Sequence, residues 1–253
     1  MSDPWCLGND IVDLKDPRCV GKASEDRFLQ RVFSPRERDA IRRSPDPELA
    51  LWLLWAGKEA TFKTVTKARG APPVFRHDAF PISFPDPARP SGESPQQATF
   101  RGTGRFEDTP VALLARLSPR GIHVASWLEA PDATPPCFHW KESDRGVTPG
   151  RPNWRGLLQR RFSDEEWRCV THEGSALTRL AARASLARKL GLAENRLEIR
   201  CGDGVPGRRV PFVFLDGKPA AVDLSLSHHG LLLAWAFLDN RNPSMEPETK
   251  VES

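Results

Sequence analysis

The second half of the chain repeats the first, and a repeat restricts the fold more than any other feature of this sequence. Each copy must be one supersecondary unit that buries part of its apolar face against its twin. Arg161-Phe162-Ser163-Asp164-Glu165-Glu166 answers Val32-Phe33-Ser34-Pro35-Arg36-Glu37, and a long helix through Leu177–Leu190 answers one through Lys63. Leu117-Ser118-Pro119-Arg120-Gly121 and Ala125-Ser126-Trp127 answer Leu226-Ser227-His228-His229-Gly230 and Ala234-Trp235-Ala236 at a constant offset of 109, which Pro110 and Pro219 also obey. The expected fold is α+β, with two related helix-plus-antiparallel-sheet lobes packed as a pseudo-twofold dimer.

Local signals place the elements. Residues 6–14 read as a first strand, with Asp10 and Val12 on one face and Ile11 and Asp13 on the other. A helix starts near Ser24. A second starts at Ser34, with Pro35 in its first position and Glu37 in its third. The long helix runs from about Glu48 to Ala68 and stops before Gly70 and Pro72-Pro73. Residues 83–98 form a Pro/Ser-rich exposed loop, followed by strands at about 99–107, 110–117 and 120–128. The expected layout is an N-terminal lobe over 1–130, a linker over 131–153, a C-terminal lobe over 154–240 and a disordered tail over 241–253.

Composition removes several function classes. A net charge of +4 and a pI near 8.9, with no Lys/Arg run, favour anionic ligands mildly and do not support nucleic-acid binding. Five scattered cysteines without CxxC or Cys/His spacing indicate neither a disulfide framework nor a zinc site. The N-terminus lacks a signal-peptide pattern and no apolar run reaches membrane-spanning length, so a cytoplasmic protein without membrane contact is expected.

The chemistry concentrates in Leu54-Trp55-Ala56-Gly57-Lys58-Glu59-Ala60-Thr61-Phe62-Lys63. Helical periodicity projects Trp55, Glu59 and Lys63 from one face. Such a pair is either an ordinary i,i+4 salt bridge or a site for a phosphate and its metal, and the pattern alone favours the salt bridge. Asp10, early in an apolar strand, is either a turn residue after Gly8-Asn9 or a cation ligand. The copies differ in a complementary way. The second long helix, Ala184-Ser185-Leu186-Ala187-Arg188-Lys189-Leu190, has no carboxylate, and Ser118-Pro119-Arg120 stands where the second copy has Ser227-His228-His229. One composite site at the junction follows.

Gly8-Asn9-Asp10-Ile11-Val12-Asp13, Trp55-Ala56-Gly57-Lys58-Glu59-Ala60 with Lys63, and Leu224-Ser225-Leu226-Ser227-His228-His229 together resemble the motifs of the 4'-phosphopantetheinyl transferases, and Gly217-Lys218-Pro219 resembles that family's Gly-Lys-Pro. The motif order is that of the single-unit holo-acyl-carrier-protein synthases. Length and repeat are those of the two-lobed, surfactin-synthetase-activating type, with the halves swapped in role. The resemblance implies Mg²⁺-dependent transfer of the phosphopantetheine arm from coenzyme A to a serine of an acyl or peptidyl carrier protein, releasing adenosine 3',5'-bisphosphate. It implies Asp10 and Glu59 on Mg²⁺, with Val12 occupying the place of a frequent third acid. Lys63 would meet the diphosphate, and Glu59 or a metal-held water would take the serine proton. Ser227 and His228 would meet the 3'-phosphate end with Lys218 nearby. Lys58 is either a second basic contact or a solvated lysine, and Arg179 and Arg188 are either phosphate contacts or a solvated face. Trp55 reads as core or pocket wall, and His229 as surface. The duplicated lobes imply a monomer. The alternative is a non-catalytic binder of coenzyme A or carrier proteins on the same scaffold.

Overall fold

A computed structural model describes residues 6–74, 76–85, 98–128, 137–142, 153–202 and 210–239. The fold is α+β, built on two five-stranded antiparallel sheets. The first contains β1 (Leu7–Asp13), β2 (Ile82–Ser83), β3 (Ala98–Phe106), β4 (Thr109–Leu117) and β5 (Gly121–Leu128), ordered β1-β5-β4-β3-β2. The second contains β6 (Cys137–Glu142), β7 (Leu197–Cys201), β8 (Pro211–Leu215), β9 (Lys218–His229) and β10 (Leu232–Asp239), ordered β6-β10-β9-β8-β7. Strand for strand the orders are the same, as the repeat requires.

The helices repeat as well. In the first lobe α1 (Asp26–Val32) and α2 (Pro35–Arg43) lead into α3 (Pro47–Ala68), and in the second α4 (Trp154–Gln159) and α5 (Asp164–Trp167) lead into α6 (Glu173–Leu190). Both α2 and α5 begin with a capping box, Ser34 with Glu37 and Ser163 with Glu166. Each capping glutamate reaches further. Glu37 Oε1 accepts from the Ile82 N–H (3.0 Å) and from Lys58 Nζ (2.7 Å), and Glu166 Oε1 accepts from the Ile199 N–H (2.8 Å) and from Arg183 (3.2 Å). One buried carboxylate thus ties cap, long helix and edge strand in each lobe.

α3 is apolar almost all round, because it packs on the first sheet and is covered by α1 and α2. Its closest approach is at Gly8, where a Cβ would lie 2.0 Å from the Ala60 carbonyl oxygen, so no other residue fits there. β5 and β10 are continuously buried because a helix covers one face and the other lobe covers the opposite face. Across that seam Leu7 and Ala125 meet Ala236 and Leu238, and Ile11 meets Leu232 and Ala234.

Two expectations change. Residues 137–142, placed in a linker, form β6 and pair with β10 from Leu232↔Glu142 to Phe237↔Cys137. Their Pro/Gly-rich flanks hid a short strand, which the second sheet needs in the position β1 holds in the first. The match of Ser118 with Ser227 also fails in space. The β4–β5 hairpin closes after Leu117↔Ile122, leaving Ser118 in a four-residue turn, whereas β9 continues to His229↔Leu232 and keeps Ser227 inside the strand. The linker residues 131–136 and 143–152, most of the Pro-rich loop (86–97) and the tail 241–253 lie outside the described residues.

Candidate functional site

The lobes enclose a cleft of about 1080 Å³. Asp10 of β1 and Lys63 of α3 line it from the first lobe, and Ser227 and His228 of β9 and Arg179 of α6 from the second. Residues from both lobes thus meet in one cleft, while Glu59, the helix carboxylate that the second copy lacks, is not among its lining. Asp10 faces α3 because it shares a strand face with Gly8 and Val12. Its Oδ1 accepts from the Ser227 hydroxyl at 2.7 Å and from Lys63 Nζ at 3.2 Å. Lys63 also donates to the Asn9 carbonyl at 2.6 Å.

The second lobe supplies an electropositive wall. Arg179 donates to Ser175 and, at 3.4 Å, to Cys201 Sγ. Although Arg179 is only 7% exposed, its Nε proton has no acceptor among the described residues. A buried guanidinium with a spare donor fits an anionic ligand. His172 was not singled out by the sequence, because histidine is not an ordinary helix cap. Here its Nδ1 accepts from the Ser175 N–H at 3.1 Å and caps α6, and its ring meets His228 edge-on at 4.5 Å.

Burial, with nearby His172, Lys63, His229 and Arg179, pushes His228 down to about 4. Burial and Arg179 also lower His172, and burial pushes His123 down to about 3. These rings are neutral in the folded chain at pH 7. Below about pH 6.5 an unfolded histidine takes up a proton that the folded one refuses, so stability falls with pH. From pH 7 to about 4 the urea midpoint is expected to fall by the equivalent of a few kcal/mol, and restored stability in His228→Phe at pH 5 checks the assignment. A midpoint flat across that window would contradict it.

The remaining candidates lie elsewhere. Lys58 is 0% exposed, with its ammonium on Glu37 and on the carbonyls of His77 (3.0 Å) and Phe80 (2.8 Å), so it is neither solvated nor in the cleft. Lys218 is exposed at the start of β9 and Arg188 is exposed on α6; neither lines the cleft. Glu59 sits one turn before Lys63 on α3, half-buried and outside the cleft wall. Trp55 packs with Phe28, Trp52 and His77 as core. His229 is not simply surface: its Nδ1 accepts from the Asp13 N–H at 2.9 Å across the seam.

Val12 is 2% exposed within the first core, leaving no acid in its place. Among the described residues no cluster of three or more His, Cys, Asp or Glu side chains gathers for a metal. Mg²⁺ does not require one, since it commonly takes one or two carboxylates and keeps water and substrate phosphate for the rest. Asp10 fits that demand: Oδ1 is engaged, and Oδ2 makes no hydrogen bond among the described residues.

The equivalent corner of the first lobe is a pocket of about 380 Å³. There Leu54, one turn before Lys58, replaces Arg179, one turn before Arg183, and Phe84, two residues past Ile82, replaces Cys201, two past Ile199. Among the described residues the two corners have therefore diverged, and the buried arginine of the second has no counterpart in the first. Among the described residues no helix is long and apolar enough to cross a membrane. No curated protein matches the chain. Residues 6–112, which supply Asp10, Glu59 and Lys63, match the family model of the 4'-phosphopantetheinyl transferase superfamily.

Proposed function

We propose that the chain transfers the 4'-phosphopantetheine arm of coenzyme A to a serine of an acyl or peptidyl carrier protein, with Mg²⁺, releasing adenosine 3',5'-bisphosphate. The observation that carries this reading is the single cleft in which Asp10 and Lys63 face His228 and Arg179. Coenzyme A brings a diphosphate and a 3'-phosphate, and a wall with a buried arginine suits the nucleotide end. The serine Oγ forms a bond to the phosphorus that carries pantetheine, the bond from that phosphorus to the adenosine-side oxygen breaks, and the serine proton passes to Glu59 or to water. Lys63 holds charge that develops on the diphosphate. Mg²⁺, held by Asp10 together with water and substrate phosphate, would supply further neutralisation of that charge. Intact mass of apo carrier proteins after incubation with coenzyme A and Mg²⁺ tests the proposal: a gain of one arm supports it. The rival, a binder without turnover, draws on Val12 in the third-acid position, and an unchanged mass with bound coenzyme A would select it.

The lobes are expected to fail differently. His228→Ala loses a charge-assisted phosphate contact of about 1.5–3 kcal/mol, raising KM for coenzyme A and leaving dephospho-coenzyme A nearly unaffected. Equal sensitivity of both donors would make His228 structural.

We also propose a cytoplasmic monomer, with 1–130 carrying the metal and diphosphate contacts and the lobe of α6 and β6–β10 the nucleotide contacts. The open edge of β1 is closed within the chain by β9. Sedimentation at one 28.3 kDa chain is expected, and an obligate trimer would overturn it.

A further inference from the structure

We propose that Ser227 is a positioning residue for Asp10 and not a contact to the nucleotide, an inference that rests on the transfer reading above. β1 is an edge strand, and the N–H groups of Leu7, Asn9, Ile11 and Asp13 point away from β5. Unpaired, these donors would be buried orphans in the seam. Each is taken by a side chain from every second residue of β9: Asp223, Ser225, Ser227 and His229, at 2.6, 3.0, 3.3 and 2.9 Å. The two strands thus run parallel, with backbone edge against side-chain row.

Ser227 does one thing that its neighbours in the row do not. Its Oγ accepts from the Ile11 N–H and spends its own proton on Asp10 Oδ1 at 2.7 Å. A serine hydroxyl has one proton, and a phosphate oxygen needs a donor. While that proton lies on Asp10, Ser227 has none for the 3'-phosphate. With Lys63 on the same oxygen, Ser227 fixes the carboxylate rotamer and leaves Oδ2 directed elsewhere. The second lobe therefore acts on the reaction in two ways, through His228 and Arg179 on the ligand and through Ser227 on the acid of the first lobe.

Two binding measurements test this. The first is calorimetry of adenosine 3',5'-bisphosphate in EDTA, and the second is Mn²⁺ affinity in the presence of coenzyme A. Ser227→Ala is expected to leave the first unchanged and to weaken the second by about tenfold or more, as loss of a partner behind a metal ligand does. Ser227→Thr, which keeps the hydroxyl, restores it. Ser225→Ala removes the neighbouring seam bond without touching Asp10, so it controls for a loosened interface and leaves Mn²⁺ affinity intact. A tenfold loss of bisphosphate affinity in Ser227→Ala, unchanged Mn²⁺ affinity, or an equal loss in Ser225→Ala would overturn the assignment. Failure of the wild type to load any carrier would sink the transfer reading instead, since neither binding measurement depends on turnover.

Discussion

Asp10→Ala is expected to lower the rate of arm transfer by on the order of a thousandfold while leaving a folded chain, because it removes the carboxylate at the meeting point of both lobes. Its Oδ1 joins Lys63 and Ser227, so the substitution also leaves Lys63 without its counter-ion. The side chain is 14% exposed and lies outside the apolar core clusters, so a folded chain with a slowed reaction is the expected outcome. Lys63→Ala should slow coenzyme A and dephospho-coenzyme A alike, since the diphosphate is common to both. Glu59→Gln should match Asp10→Ala in rate if Glu59 shares the cation or takes the serine proton. Transfer rates by intact mass, with far-ultraviolet circular dichroism on the same samples, decide the matter. Near wild-type turnover by folded Asp10→Ala would remove Asp10 from the site.

Glu37→Ala is expected to cost about 3–5 kcal/mol of stability, because it strands a buried ammonium. Glu37 accepts from the Ser34 N–H at 2.8 Å, the Ile82 N–H at 3.0 Å and Lys58 at 2.7 Å. Burial pushes the Lys58 pKa down and Glu37 opposes that shift, so Lys58 depends on Glu37 for its charge. The exposed pair Arg42–Asp26, at 3.2 Å, should cost well under about 1 kcal/mol when broken. Urea unfolding of the three proteins makes the comparison. If Lys58→Met keeps wild-type stability but loses coenzyme A affinity, Lys58 is a ligand contact after all.

Much of this architecture was legible without coordinates. Ser34-Pro35 and Ser163 announce helix starts through local hydrogen bonding, and the strand expected at about 120–128 is β5. The repeat then requires two like lobes, because neither can bury its sheet alone. Complementary differences between the copies pointed to residues of both lobes sharing one cleft, and Asp10 and Lys63 meet His228 there, whereas Glu59 is not in its wall. What local rules could not supply was direction. Helical spacing separates Lys58 from Lys63 but does not say which one faces a core glutamate and which a cleft, since that depends on where α2 and β1 lie against α3. A match of 109 residues aligns Ser118 with Ser227, yet a four-residue turn against a two-residue one puts the first in a loop and the second on Asp10. β6, hidden among Pro and Gly, exists because β10 has an open edge to fill. Sequence periodicity carries the order within an element, whereas bonds between residues more than two hundred apart, such as Ser227 to Asp10, exist only once the two lobes have closed.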